Sequence, residues 1–164
     1  MNNLEHAFHN YKQDAIRIEV LPTFLIPKEA EALKAIRSGR QPDFDFMNGW
    51  HSRLDMVTKK GRTSRRIRLL SEPPSEYEDF ELKWGYPSNI KHGEQIRCIR
   101  RNQSEDLFDC WLFDGSLGFQ MLYDEKGSFL GSKKLGTTET KRLVDWVTSV
   151  WTSLPVFTEY VTET

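Results

Sequence analysis

One contiguous block constrains the fold of this 164-residue chain more than any other: Arg65-Arg-Ile-Arg-Leu-Leu-Ser-Glu-Pro-Pro-Ser-Glu-Tyr-Glu-Asp-Phe-Glu81. Ile67, Leu69 and Leu70 predict a buried strand over residues 66–70. Ser71-Glu-Pro-Pro breaks it, since proline has no N–H to give a ladder. Ser75 then offers a helix cap, and Tyr77, Phe80 and Trp84 would share one side of the helix that follows. A strand that passes through a tight turn into an aromatic helix asks for helices layered on a sheet.

The remaining segments agree. Ala15-Ile-Arg-Ile-Glu-Val-Leu21 alternates apolar and polar, the period of a strand with one face buried. Pro27 opens a helix through Arg37, with Ala30, Ala32, Leu33 and Ile36 on its inner side and Gly39 as its cap. Phe46, Trp50, Leu54 and Val57 form one stripe on a second helix from Asp45 to Lys60. Residues 1–14 read as a short helix or an ordered arm, and Gly85-Tyr-Pro-Ser-Asn as a loop. Strands follow at 95–100, 109–113 and 118–123, the last two joined by a hairpin at Asp114-Gly-Ser-Leu. Asp124-Glu-Lys-Gly127 is a second turn, leading to a short strand around Phe129. Thr137 or Thr138 caps a final helix bearing Leu143, Val147, Val150 and Leu154, which Pro155 stops. The expectation is a single domain over residues 1–164, α/β or α+β, with helices on a mixed sheet.

Charge excludes little by itself: 23 basic against 24 acidic residues exert no global pull toward nucleic acid or an anionic membrane. The five tryptophans and ten phenylalanines predict an aromatic-rich core. The start, Met1-Asn-Asn-Leu-Glu-His-Ala-Phe, has no basic segment followed by an apolar one, and no apolar run approaches the ~18 residues that span a bilayer. Cys98 and Cys110 lie in apolar strand segments and read as reduced, buried thiols, so a cytoplasmic location is expected.

Few motifs carry chemistry. Lys59, Lys60, Arg62, Arg65, Arg66 and Arg68 place six cations in ten residues, a pattern that can hold phosphate. Cations are also favoured where a helix ends, five acids follow within residues 72–81, and no aromatic interleaves the run. Direct nucleic-acid binding is therefore the weaker reading. His6 and His9 stand three apart without a third ligand, so no metal is expected. No nucleophile elbow, Walker loop or dinucleotide-binding glycine pattern is present. Burial would raise both thiols, the wrong direction for a nucleophile. Glu72, Glu76, Asp109, Asp114 and Asp124 fall at strand ends or turns, where catalytic carboxylates occur, but turn chemistry alone explains Asp114 and Asp124.

Ala15-Ile-Arg-Ile-Glu, the Pro-Lys-Glu-Ala-Glu-Ala start at Pro27, Arg66-Ile-Arg-Leu-Leu-Ser-Glu-Pro-Pro-Ser-Glu-Tyr, Gly93-Glu-Gln-Ile-Arg, Asp109-Cys-Trp-Leu-Phe-Asp, Met121-Leu-Tyr-Asp and Gly127-Ser-Phe-Leu-Gly occur in that order. Together they resemble a family of uncharacterised bacterial proteins, abundant in actinomycetes and often encoded beside helix-turn-helix regulators. Cys110 stands where that family commonly has Phe, and Glu76 where Asp is common. The element order and the Trp-Leu-Phe-Asp-Gly hairpin also resemble the phospholipase D-like fold, whose catalytic versions need a His followed two residues later by Lys. None of His6, His9, His51 or His92 is so followed.

What the resemblance implies is a non-catalytic regulatory domain, without cofactor, that binds a helix-turn-helix transcription regulator or a small ligand. The alternative is a hydrolase or phosphodiesterase using Glu72 and Asp114 with Arg68 and Arg97; the second alternative is nucleic-acid binding through residues 59–68. Candidate ligand- or partner-binding residues are Arg68, Ser71, Glu72, Tyr77, Arg97, Trp111 and Asp114, the polar and aromatic groups flanking the signature strands. The plainer account puts Tyr77 and Trp111 in the core, Ser71 in a turn and Arg97 against an acid.

Overall fold

The computed structural model describes residues 3–101 and 106–158; Met1 and Asn2, at the head of the expected arm, lie outside them. Six strands form one mixed sheet in the order β3-β2-β1-β4-β5-β6. They are β1 (Asp14–Glu19), β2 (Thr63–Leu70), β3 (Gln95–Arg100), β4 (Cys110–Phe113), β5 (Leu117–Tyr123) and β6 (Phe129–Lys134). The first three run parallel, and β4 to β6 continue as an antiparallel meander on the other side of β1. The expected mixed sheet with packed helices is what forms.

Register sorts the side chains into two faces. Ile16 and Ile18 of β1 fall beside Ile67 of β2 and beside Cys110 and Leu112 of β4. This face packs on helix α6 (Thr137–Val150) through Leu143 and Val147. The approach is close: a Cβ at Gly118 would stand 2.9 Å from Thr140 Oγ1 and 3.1 Å from Leu135. Only glycine lets the helix sit that near β5.

The opposite face carries Arg17 and Glu19 beside Arg66 and Arg68, with Trp111 across from Arg17. It is covered by α1 (Asn3–Asn10), α2 (Ala30–Arg37), α3 (Asn48–Lys59), α4 (Glu76–Phe80) and α5 (Tyr86–Lys91). Five of the six β1 residues are consequently buried, on both faces. The alternation in β1 had predicted a solvated polar face; instead that face is covered, and its charges are neutralised inside the protein.

Local chemistry explains most element boundaries. Pro27 starts a short 3₁₀ turn leading into α2. Ser75 and Glu78 form a reciprocal capping box at the start of α4, an arrangement that satisfies two orphan donors. Asp114 and Gly115 both take positive φ, 51° and 66°, the backbone of a tight hairpin turn whose twist matches its strands.

Three expectations need correction. Residues 85–89 are not a loop: the chain passes from α4 through a π turn (Glu81–Gly85) directly into α5. Pro87 falls in the first turn of α5, directly after the π turn. The buried side of α2 is Ala32 and Ala35, while Ala30 is exposed. Helix α6 is capped by the extended backbone of Gly136, with no side-chain bond from a threonine.

Candidate functional site

The charged face is a network in which three arginines sit among five carboxyl groups. Arg17 Nη2 lies 3.0 Å from Asp109, Arg66 lies 2.7 Å from both Glu19 and Glu94, and Arg68 Nη2 lies 2.6 Å from Glu81 and 3.9 Å from Glu78. Arg68 is wholly buried and also donates to the carbonyl of Leu21 at 2.7 Å. Removing such ions from water costs several kcal/mol each, repaid only by close and complete pairing. Glu78, itself buried, turns away to accept from the backbone N–H of Ser71 and Ser75 and so fixes the Ser-Glu-Pro-Pro turn.

One proton is shared at the centre. The Tyr86 hydroxyl lies 2.7 Å from Glu19 Oε1 and 2.9 Å from Glu81 Oε2. A phenol has one hydrogen to donate, so both contacts are satisfied when Glu81 is protonated and donates to Tyr86, which donates to Glu19. The titration behaviour agrees. Burial, aided by the charge of Glu19, pushes the Glu81 carboxyl up to about 8 despite Arg68. Glu19 moves the other way, because Arg66 and Arg17 outweigh its burial and hold it well below the usual carboxylate range.

Above this floor lies a cavity of about 270 Å³. Glu19, Arg66, Glu81 and Tyr86 reach it from below, and Phe46, Trp50, Tyr77, Phe80 and Trp111 wall it with aromatic rings. Lys28 and Glu29 border it from the turn before α2. Tyr77 donates to Glu29 Oε2 at 2.7 Å, and burial pushes the Glu29 carboxyl up to about 7. Among the described residues, no acceptor meets the buried indole N–H of Trp50.

A second cluster adjoins it. His51 and His92 stack face to face with ring centroids 4.2 Å apart, His51 Nε2 lies 2.7 Å from Ser88 Oγ, and His92 Nδ1 lies 2.8 Å from Asp55. His51 Nε2 is also 3.2 Å from the side-chain amide oxygen Oδ1 of Asn89. Among the described residues, no group of three or more His, Cys, Asp or Glu side chains is placed to hold a metal ion. No helix there is long and apolar enough to cross a membrane.

The seven residues singled out from the sequence divide among different places. Tyr77 and Trp111 wall the cavity, and Arg68 lies beneath it, reaching it through Glu81. Ser71 and Glu72 lie on a separate cleft with Pro73, Pro74 and Arg100, and Glu72 pairs with Arg100. Arg97 is on the opposite face of the sheet. It donates to the carbonyls of Trp151 and Leu154 at 2.7 and 2.8 Å and stacks on the Trp151 ring, so its partners are carbonyls where an acid was expected. Asp114 accepts backbone N–H groups from Lys12, Gln13 and Asp14 at 2.8–3.0 Å and ties the hairpin to the start of β1.

The constellation required by the hydrolase reading therefore does not assemble. Glu72 follows the end of β2 while Asp114 sits beside the start of β1, roughly 25 Å away along an eight-residue strand. The basic run is dispersed too. Arg66 and Arg68 are buried, Arg65 pairs with Asp14 at 2.6 Å, and Arg62 lies over the Tyr11 ring. Cys98 and Cys110 are buried free thiols, and burial pushes both up to about 12.

Sequence reasoning passed over Glu19, Glu29, Trp50, Arg66, Glu81 and Tyr86 as site residues. A signal for two of them, Glu19 and Arg66, exists in Ile-Arg-Ile-Glu and Arg-Ile-Arg, where charges recur at every second position of two strands. The register sets Glu19 opposite Arg68, and an opposite-charge pair of that kind stabilises a sheet.

Comparison with solved structures places the fold. The crystal structure of a phospholipase D family member, Nuc from Salmonella typhimurium, is similar over 92% of this chain and 86% of that one, with a TM-score of 0.52 and 9% sequence identity. At that identity the likeness is one of fold. No curated protein matches the sequence. A family model covers nearly the whole length, residues 2–162, and the chain accordingly belongs to the family described as a domain of unknown function, DUF6879.

Proposed function

We propose that this domain is a non-catalytic regulatory module, one that binds a small ligand in the aromatic-walled cavity and conveys its occupancy to a helix-turn-helix partner. The observation that carries the ligand half is the cavity itself: a concave, aromatic-lined space into which a few oriented polar groups converge. Its lining comes from β1, β2 and β4, the turns before α2 and α3, α3 and α4, the π turn and α5, so occupancy bears on several elements at once. The polar groups of the floor are engaged with one another, which suits recognition better than bond-breaking. The partner half rests on the resemblance to proteins encoded beside such regulators.

The test uses the tryptophans as internal reporters. Trp50 and Trp111 wall the cavity, whereas Trp146 and Trp151 pack on the other face of the sheet. A library of small polar-aromatic compounds screened by NMR should yield binders that shift the Trp50 and Trp111 indole signals and leave Trp146 and Trp151 in place. Binders that move only the second pair, or a library with none, would overturn the ligand half. Stoichiometric recovery of a helix-turn-helix protein on the tagged domain from host lysate is the expected result for the partner half.

A further inference from the structure

Resting on that reading, we infer that the cavity selects a cationic ligand: an amine on a body of about one ring, its ammonium set against Glu29 and its body against the aromatic walls. The argument begins with which charges are already matched. Glu19 is paired with Arg66, and the Glu81 carboxyl group is bound by Arg68 and Tyr86. Arg66 is held from two sides, by Glu19 through Nη1 and by Glu94 through Nε, and its guanidinium also lies 5.6 Å from the Tyr86 ring centre. Glu29 differs from all of these. Its hydrogen bond comes from the neutral Tyr77 hydroxyl, and among the described residues no ion pair reaches it.

Glu29 is thus a carboxyl group on the cavity wall lacking a counter-charge. Burial pushes it up to about 7, and the Tyr77 hydrogen bond and the charges of Arg66 and Lys28 offset only part of that. An ammonium group would supply the missing charge. The walls favour the same sign, since the faces of tryptophan, tyrosine and phenylalanine rings attract cations. An anion would find the reverse: Arg66 already committed to Glu19 and Glu94, and the charge of Glu19 facing it across the same space. Lys28 is exposed and is the one cation of the lining outside an ion pair among the described residues. Size sets the body, because a cavity of ~150 Å³ accepts one benzene ring and this one, at about 270 Å³, has room for a ring with a short polar arm.

The test is an isosteric series that changes only charge: benzylamine, benzyl alcohol and benzoate, titrated against the full chain with the Trp50 and Trp111 indole signals as readout. Benzylamine is expected to bind at least tenfold more tightly than benzyl alcohol, with benzoate weakest. Glu29→Gln keeps an acceptor for Tyr77 and should remove that preference, leaving benzyl alcohol affinity within twofold. If benzoate or benzyl alcohol binds as well as benzylamine in the unaltered chain, the amine assignment is wrong and the ligand module stands. A preference that survives Glu29→Gln would overturn the role of Glu29. If none of the three moves either indole signal at millimolar concentration, the amine assignment and the ligand reading of the cavity both fall.

Discussion

The two faces of the sheet solve the same burial problem by different chemistry. Against α6, the sheet presents Ile16, Ile18, Ile67, Leu69 and Leu112, and each buried side chain is stabilised by leaving water. Against α3 to α5 it presents Arg17, Glu19, Arg66 and Arg68, and their burial is tolerable only because every guanidinium meets a carboxyl group at close range. The first face tolerates any filling of similar volume. The second depends on close pairing, and it carries the aromatic-walled cavity. A core built for stability alone has no need of the more costly solution, because apolar residues of like volume do as well or better.

That contrast can be broken most directly at Arg68. Arg68→Ala leaves Glu81 buried beside Glu78 and Glu19, and urea unfolding should show a loss of about 3–5 kcal/mol. Arg68→Met combined with Glu81→Leu removes both charges together and should recover most of that loss, while disturbing the cavity floor enough to change ligand binding. If the double variant stays as unstable as Arg68→Ala, the ion pair is a structural necessity and the charged face loses its functional distinction. On the other face, Leu143→Ala opens a void against the sheet and should cost about 2–4 kcal/mol in the same assay. Its indole signals at Trp50 and Trp111 should respond to ligand as in the unaltered chain.

The difference between faces also decides what could be read from the sequence. Leu143, Val147, Ile67 and Leu69 announce themselves, because apolar residues at strand or helix spacing have one physical destination. The Asp114-Gly115 hairpin and the Ser75 cap are legible for the same reason: backbone geometry restricts the residues that can serve. Arg17 and Glu19 are not legible in this way. A charged residue at alternate positions of a strand reads as solvent-facing, and the acids that meet Arg17, Arg66 and Arg68 here, Asp109, Glu94 and Glu81, come from distant parts of the chain. Tyr77 and Trp111 are legible as packed aromatics beside the signature strands, and both are buried. Glu29 was missed because a glutamate in the first turn of a helix is ordinary, and nothing local tells of the Tyr77 hydroxyl that meets it from 48 residues away. Asp114 and Glu72 looked alike in sequence as acids at strand ends, yet strand direction sends them to opposite ends of the sheet.

Glu29 gives the smallest effect and the sharpest sign. Its folded-state value of about 7 lies above the 4.5 of a free glutamate, so between those values the folded chain keeps a proton that the unfolded chain has released. Stability from this group is therefore fully present below about pH 4.5, falls as the pH rises, and is lost above about pH 7. Allowing for its partial exposure, the loss is about 1–2 kcal/mol. Glu81 slopes in the same direction up to about pH 8, so the unaltered chain alone cannot separate the two. The difference between Glu29→Gln and the unaltered chain can, because Glu81 contributes equally to both. Urea unfolding across pH 4–8 should show that difference growing from near zero at the acid end to about 1–2 kcal/mol in favour of the variant at pH 8. Leu143→Ala, by contrast, should shift the whole curve and leave its shape unchanged. A pH-independent difference for Glu29→Gln would mean that Glu29 is ionised and compensated already, and that the charged face has no vacancy for a cation.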